Sequence, residues 1–245
     1  MAHDREIRTL TGRFERWALP RMAARLPLWV TPDVLTSAGI AAAMVGGLGF
    51  VLAGRTGALA WLHLTSLALV AHWAADSLDG TLARQRRIER PRYGTFVDHT
   101  SDAISAWLLL GGLAASGLVR PWLALAALAG YLSHFGFAFV VATARGVLRL
   151  APTGGLGPTE LRLVVIAACT AVWATGNPAW PLAGAMWTLF DGLVAGAAVI
   201  LVLTWLVAAA RERAELARLD PTPNGDPPEA SGEQTTPGRA PDRPA

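Results

Sequence analysis

Six long apolar segments, separated by short polar turns, account for most of this chain. An α-helix needs about 20 predominantly apolar residues to cross a bilayer, and most of the segments approach or exceed that length. The pattern therefore predicts an all-α integral membrane protein with six transmembrane helices. Their expected positions are about 34–53, 59–82, 94–117, 121–146, 159–175 and 182–210.

The first span opens with a helix start signal, in which Thr31 can cap the helix and Pro32 can occupy its first turn. Two more polar residues, Asp33 and Thr36, lie in the same turn. They either cap the helix or face the acidic residues described below. The local signal favours caps.

Small residues form stripes on two of the spans. Gly39, Ala43 and Gly47 repeat every four positions on the first span, and Gly111 and Ala115 do so on the third. Such stripes allow a neighbouring helix to approach closely. The neighbour is either another helix of this chain or a second copy.

The two ends of the chain differ from the middle. Residues 1–30 carry six arginines interleaved with large apolar residues, which predicts a basic N-terminal helix lying in the membrane interface and broken by Pro20 and Pro27. A basic flank that only sets topology is the alternative. The six-helix domain is expected over 31–212, followed by a disordered cytoplasmic tail over 213–245, where the chain becomes rich in Pro and Gly.

Composition and charge support a membrane protein and orient it. The chain is 53% hydrophobic and only 16% charged, which excludes an ordinary soluble domain, and its net charge is +3. Nearly all arginines lie at the termini and in the loops after the second and fourth spans. By the positive-inside rule both termini are cytoplasmic in a multi-pass cell-membrane protein. Since the arginines flank membrane segments, no nucleic-acid partner is predicted.

Four aspartates are concentrated at the cytoplasmic ends of the second and third spans. Asp76 and Asp79 are spaced i, i+3, and Asp98 and Asp102 are spaced i, i+4, so each pair lies on one helical face. Two such faces brought together form an all-oxygen cage suited to hard divalent cations. The simpler alternative is structural pairing with the arginines of the 84–92 segment.

The complete pattern reads DxxDGxxAR from Asp76, then nine residues, then GxxxDxxxD ending at Asp102. It resembles the signature of the CDP-alcohol phosphatidyltransferases at every fixed position. The Pro-Asp-x-x-Thr sequence at Pro32 is similar to a Pro-Asn-x-x-Thr segment of that family, with Asp33 as a departure. The resemblance extends to most of the chain before the tail.

The resemblance implies transfer of a substituted phosphate from a CDP-alcohol to an acceptor alcohol, with release of CMP. Two Mg²⁺ or Mn²⁺ ions are implied as cofactors, with Asp102 as the base that takes the acceptor's proton. The implied metal ligands are Asp76, Asp79, Asp98 and Asp102. The implied neighbours of the CDP group are Gly80, Ala83, Arg84, Gly94 and Thr36.

Three arginines are candidates for receiving an anionic acceptor, namely Arg145, Arg149 and Arg162. Arg145 and Arg149 share a face at the end of the fourth span, and Arg162 begins the fifth. Charge that only sets topology explains all three equally. Asp191, toward the outer end of the sixth span, has no partner that the sequence identifies.

The histidines have less specific settings. His99 adjoins Asp98, where it either ligates or orients a carboxylate or makes a hydrogen bond behind it. His63, His72 and His134 lie singly on apolar faces, so packing or helix–helix hydrogen bonds are expected for them.

The donor, the acceptor and the class of protein each have an alternative. In its small size the chain is similar to the bacterial enzymes of this family that use a lipid-linked CDP donor, which implies CDP-diacylglycerol with a polar acceptor, as in phospholipid biosynthesis. Transfer of a choline- or ethanolamine-type head group to diacylglycerol is the alternative. A cation-coupled transporter is a more distant one, because its carboxylates would be spread through the membrane depth. The family resemblance also implies a homodimer.

Overall fold

A computed structural model describes residues 12–146 and 158–220. This part of the chain contains seven helices and one two-stranded sheet. The elements, in chain order, are α1 (Gly12–Ala23), α2 (Pro32–Thr56), α3 (Trp61–Arg86), α4 (Pro91–Ser116), α5 (Pro121–Arg145), α6 (Pro158–Thr175), β1 (Ala179–Leu182), β2 (Ala185–Thr188) and α7 (Leu189–Leu219).

Each of the six predicted spans coincides with a long helix, α2 to α7. Four of them, α2, α5, α6 and α7, are long and apolar enough to cross a membrane. The other two, α3 and α4, have 26 residues each and are about 39 Å long, but they carry the charged motif. The structure is therefore that of a helical, multi-pass membrane protein.

The prediction of an all-α chain is wrong over residues 179–188. These residues form an antiparallel hairpin, so α7 begins at Leu189 instead of near 182. The turn residues Ala183 and Gly184 both have positive φ, 49° and 79°. A two-residue turn of this kind matches the twist of the paired strands.

Two predicted boundaries near the ends also differ. Pro20 lies inside α1 and does not break it. The helix is held by apolar contacts, since Leu19 and Ala23 are buried together with Leu78 and Leu82 of α3. At the other end α7 continues to Leu219, past the expected start of the tail at 213.

A single arginine fastens the chain between α1 and α2 to the end of α3. The Arg86 guanidinium donates to the carbonyl oxygens of Leu26, Pro27 and Val30 at 3.0, 2.9 and 2.5 Å. An arginine has five donors in a fixed fork and can serve several acceptors at once. The N-terminal helix is thereby tied to the helix that carries the first aspartate pair.

Glycines bring α2 and α4 into backbone contact. A Cβ atom added at Gly47 would overlap the Leu108 carbonyl oxygen, and one at Gly112 would lie 2.6 Å from the Gly47 Cα. The stripe on α2 thus packs within the chain, as one of the two alternatives predicted. On α4 the contact runs through Gly112 instead of Gly111, around which nothing lies within 4 Å.

At the end of the bundle opposite the aspartates, Asp191 joins α7 to the start of α5. Its carboxylate accepts from the Arg120 backbone N–H at 2.8 Å and lies 3.6 Å from the Arg120 Nε. Asp191 also forms a reciprocal capping box with Thr188 at the start of α7. Its partners are therefore a helix cap and an ion pair, with no connection to the acidic motif.

Candidate active site

Three of the four motif aspartates converge where the end of α3 faces the beginning of α4. Asp76, Asp98 and Asp102 each offer one carboxylate oxygen, and these oxygens lie within 4.8 Å of one another. The side chains are partly buried, which keeps bulk water from fully solvating three like charges. Such a cluster requires compensation by positive charge. Its donor set consists only of carboxylate oxygens, the ligands that Mg²⁺ and Mn²⁺ prefer.

The fourth aspartate, Asp79, is held by α2. Its carboxylate accepts from the Thr36 hydroxyl at 2.7 Å and from the Gly80 backbone N–H at 2.5 Å. The interpretation of Thr36 as a cap is therefore wrong, because Thr31 caps α2 by accepting from the Val34 N–H. Thr36 instead fixes a motif carboxylate from a neighbouring helix.

Asp33, the residue that departs from the family pattern, faces the segment between α3 and α4. Its carboxylate accepts from Arg90 at 2.9 and 3.1 Å. Both side chains are about half exposed, so this pair contributes little to stability. Its geometric effect is to connect the start of α2 to the loop that separates the two aspartate pairs.

Of the three arginines predicted for an acceptor, Arg162 lies at the aspartate cluster. Its Nη2 donates to Asp76 at 2.7 Å and lies 4.0 Å from an Asp102 oxygen. Because its side chain is only 13% exposed, its charge acts on the carboxylates with little solvent screening. Arg145 is paired with Glu212 on α7. Arg149 lies outside the described residues.

The two glycines of the motif have different surroundings, since Gly80 is covered by a side chain and Gly94 is open to solvent. At Gly80 an added Cβ would lie 3.4 Å from the Arg84 guanidinium, which folds along α3 and donates to the Thr81 hydroxyl at 3.3 Å. At Gly94 nothing lies within 4 Å of an added Cβ, and Gly94 is exposed, whereas Ala83 is half-buried. The open side of the site is thus beside Gly94.

His99 is packed and not positioned as a ligand. Its Nδ1 donates to the Thr95 carbonyl oxygen at 2.8 Å, within α4, and lies 3.8 Å from the nearest Asp98 oxygen. Phe135 and Phe139 of α5 flank the ring, with centroids 5.4 and 5.0 Å away. The hydrogen bond of the His99 Nδ1 is thus made within its own helix and not to a carboxylate, so the predicted bond behind the aspartates stays a prediction.

The other histidines are as expected in two cases. His134 of α5 bonds to the Leu201 carbonyl oxygen of α7 at 2.8 Å, which is a helix–helix hydrogen bond. His63 packs edge-on against Trp173. His72 was expected to pack in the same way, but it lines a polar cavity next to Asp76 and Asp79. The sequence signal for this location is spacing, since His72 lies four residues before Asp76 and therefore on the same helical face.

The family assignment comes from comparison with known proteins. A model of the CDP-alcohol phosphatidyltransferase family matches residues 29–209, about three quarters of the chain. The chain belongs to this family. Membership confirms the predicted transferase of phospholipid biosynthesis and favours it over the transporter alternative.

Two bacterial relatives carry one name. The phosphatidylinositol phosphate synthase of Mycolicibacterium smegmatis is 31% identical over 217 residues, covering 86% of this chain and 91% of the relative. That of Mycobacteroides abscessus is 32% identical over 180 residues, covering 72% and 78%.

The fold is also known from a solved structure. The crystal structure of Mycobacterium tuberculosis phosphatidylinositol phosphate synthase with CDP-DAG bound matches with a TM-score of 0.55 and 18% identity. The match covers 82% of this chain and 94% of that one. At this identity the likeness shows a shared fold.

The residues of this CDP-alcohol phosphatidyltransferase fit the divalent cations that its family implies. Asp76, Asp98 and Asp102 are close enough to share one cation, and Asp79 lines the same cavity as Asp76. The Arg162 guanidinium beside the cluster shows that this position accommodates positive charge. The predicted acidic cage is therefore present for three aspartates, with the fourth adjacent.

Proposed function

We propose that the protein transfers the phosphatidyl group of CDP-diacylglycerol to a hydroxyl group of a phosphorylated inositol, releasing CMP. The reaction class follows from family membership. The acceptor is inferred from the shared name of two relatives whose product, a phosphatidylinositol phosphate, contains phosphatidyl and inositol phosphate groups. The observation that carries the proposal is the guanidinium of Arg162 next to three clustered carboxylates. It puts an anion receptor beside a cation site.

The donor is assigned by the same reasoning. The solved structure that shares this fold has CDP-DAG bound, which supports a lipid-linked CDP donor over a soluble CDP-choline or CDP-ethanolamine. We assign the CDP group to the side of the site formed by Gly80, Ala83, Arg84 and Gly94. The open space at Gly94 supports this, since a nucleotide needs room that a side chain would occupy. Thr36 supports the site by holding Asp79, so its role is positioning.

In the proposed reaction the acceptor oxygen forms a bond to the donor's phosphatidyl phosphorus while the bond from that phosphorus to the CMP oxygen breaks. Asp102 accepts the proton of the attacking hydroxyl. Its carboxylate suits this role because it lies 4.0 Å from Arg162, where an anionic acceptor would be held. Two Mg²⁺ or Mn²⁺ ions, held by Asp76, Asp79, Asp98 and Asp102, would supply neutralisation of the pyrophosphate charge.

The acceptor phosphate is assigned to Arg162, with Arg145 and Arg149 as further candidates. A guanidinium binds phosphate through two parallel hydrogen bonds, which fixes its orientation as well as its position. Arg162 lies at the carboxylate cluster, whereas Arg145 is paired with Glu212 on α7, so we expect Arg145 to contribute less.

The same proposal includes the setting of the enzyme. We infer six transmembrane helices, α2 to α7, in the cell membrane, with both termini and the aspartates on the cytoplasmic side, because the arginines concentrate there. Residues 31–212 would form the catalytic domain, 1–30 an interfacial segment and 213–245 a tail whose first residues continue α7. A homodimer remains the expectation from family membership.

The test is an assay of the purified protein with radiolabelled CDP-diacylglycerol, Mg²⁺ and a panel of acceptors. The panel contains inositol phosphate, inositol, glycerol phosphate and serine. We expect CMP release and a labelled phosphatidylinositol phosphate only with inositol phosphate. Equal turnover with unphosphorylated inositol would contradict the acceptor assignment. A parallel reaction contains CDP-choline and diacylglycerol, and CMP release in that reaction alone would contradict the donor assignment.

Asp102→Asn tests the proposed base. Asparagine keeps the shape of the side chain but cannot accept the proton, so turnover should fall by at least about 100-fold. Binding of CDP, measured by calorimetry, should survive. Retained turnover would remove Asp102 from this role.

A further inference from the structure

A small polar cavity lies between α2, α3 and α4, on the inner side of the aspartates. It is lined by Thr36, Gly39, Ile40, His72, Asp76, Asp79, Ser101 and Ser105. Among the lining residues without a role assigned so far, His72 and Ser105 stand out by their polar atoms. His72 lies one turn before Asp76 on α3, and Ser105 lies three residues after Asp102 on α4.

Both side chains are almost completely buried, with 5% and 3% of their surface exposed. Within the described ranges 12–146 and 158–220, neither the His72 Nδ1 nor the Ser105 Oγ has a hydrogen-bond partner. A buried polar atom without a partner is rare because it has lost its bond to water without replacing it. Because both atoms belong to residues that line one cavity, a single ligand in that cavity could serve both.

The size and chemistry of the cavity define that ligand. The space accommodates about one water-sized sphere, and a buried water needs two to four polar partners. The hydroxyl of Ser105 can donate or accept, and the imidazole nitrogen does either according to its tautomer. Asp76 supplies a third partner, since a carboxylate can accept from a water while it also accepts from Arg162.

We propose that this cavity binds one water molecule that joins His72 and Ser105 to the carboxylate of Asp76, so that both are positioning residues for the metal-binding aspartates. The inference rests on the proposed metal-dependent transfer. Groups that hydrogen-bond to a ligating carboxylate fix its orientation, and their loss commonly lowers metal affinity about 10- to 100-fold. His72 and Ser105 act in this way through the water.

The test is Mn²⁺ binding to the purified full-length protein, measured by electron paramagnetic resonance without substrates. We expect Ser105→Ala and His72→Phe each to weaken binding about 10-fold. The double variant should bind no more weakly than the weaker single variant, because either change alone removes the shared water. Wild-type affinity in both single variants, or a multiplied loss in the double variant, would overturn the proposal.

Matched variants separate positioning from general damage. His63→Phe changes a histidine of the same helix that packs against Trp173, and Ser133→Ala removes a hydroxyl that bonds its own helix. Both should leave Mn²⁺ affinity unchanged. His72→Asn returns a polar atom near the Nδ1 position and should restore most of the affinity. Failure of this rescue would contradict a role for that nitrogen.

A conservative variant and an activity assay complement the measurement of Mn²⁺ binding. Ser105→Ala removes one oxygen atom, so it remains informative if His72→Phe does not fold. In the CMP-release assay, the Mg²⁺ concentration for half-maximal rate should rise in Ser105→Ala while the rate at saturating Mg²⁺ changes less than about twofold.

If no donor releases CMP but the Mn²⁺ pattern holds, the proposed function fails and the water site stands. If both single variants bind Mn²⁺ like the wild type and CMP release is normal, the water site fails and the proposed function stands.

Discussion

Two adjacent glycines of α4 should respond to alanine with opposite signs. A Cβ at Gly112 would lie 2.6 Å from the Gly47 Cα, whereas a Cβ at Gly111 would have nothing within 4 Å. Both substitutions gain up to about 1 kcal/mol because alanine is the better helix former. Only Gly112→Ala requires the two backbones to separate, by about 1 Å to reach ordinary contact, and overpacking of this kind costs about 1–3 kcal/mol.

We therefore expect Gly111→Ala to be neutral or stabilising and Gly112→Ala to be destabilising by about 1–2 kcal/mol. The measurement is thermal unfolding in detergent, followed by tryptophan fluorescence, with activity measured in parallel. Gly112→Ala should also lose activity, since α2 and α4 carry Thr36 and Asp102 on the two sides of the site. Equal melting temperatures for the two variants would refute the close contact between α2 and α4.

Three further substitutions have expected outcomes. Thr36→Val removes the 2.7 Å hydrogen bond to Asp79, and the Mg²⁺ concentration for half-maximal activity should rise about 10-fold; an unchanged Mg²⁺ requirement would argue against this contact. Arg162→Gln leaves the negative charge of the carboxylate cluster uncompensated, so the melting temperature should fall when a chelator is present. It should recover when Mg²⁺ is added, because the cation then supplies the positive charge. A fall that Mg²⁺ does not reverse would indicate a purely structural arginine. Arg86→Ala frees the carbonyls before α2, and trypsin should cut that segment faster at an unchanged melting temperature; wild-type cleavage would contradict the anchoring role.

The parts of the site that sequence could predict are those encoded by local spacing. The i, i+3 and i, i+4 aspartates must share helix faces, and the intervening arginine-rich segment separates two long helices. The resemblance to the family implied that the two faces form one site. The structure agrees for three of the residues, because Asp76, Asp98 and Asp102 converge.

The parts that could not be predicted depend on contacts between distant residues. Thr36 bonds to a residue 43 positions away, and its position in the first turn after Pro32 made a cap the simpler interpretation. Asp191 pairs with Arg120, 71 positions earlier, so neither neighbourhood indicates the other. On α4 the choice of Gly112 over Gly111 depends on the rotation of the helix about its axis, which an isolated stripe does not determine.

The backbone contact between α2 and α4 has a consequence for how acceptor preference can diversify. α2, α3 and α4 pack together and carry Thr36 and all four aspartates, whereas Arg162 belongs to α6, which packs mainly against α3 and also contacts α1 and α7. Under the proposed function, substitutions on α6 can therefore alter the group that receives the acceptor without disturbing the backbone contact between α2 and α4. Under the same proposal, the residues assigned to the nucleotide and the arginine assigned to the acceptor lie on different helices, so mutation of α6 can change acceptor preference while selection preserves the nucleotide site.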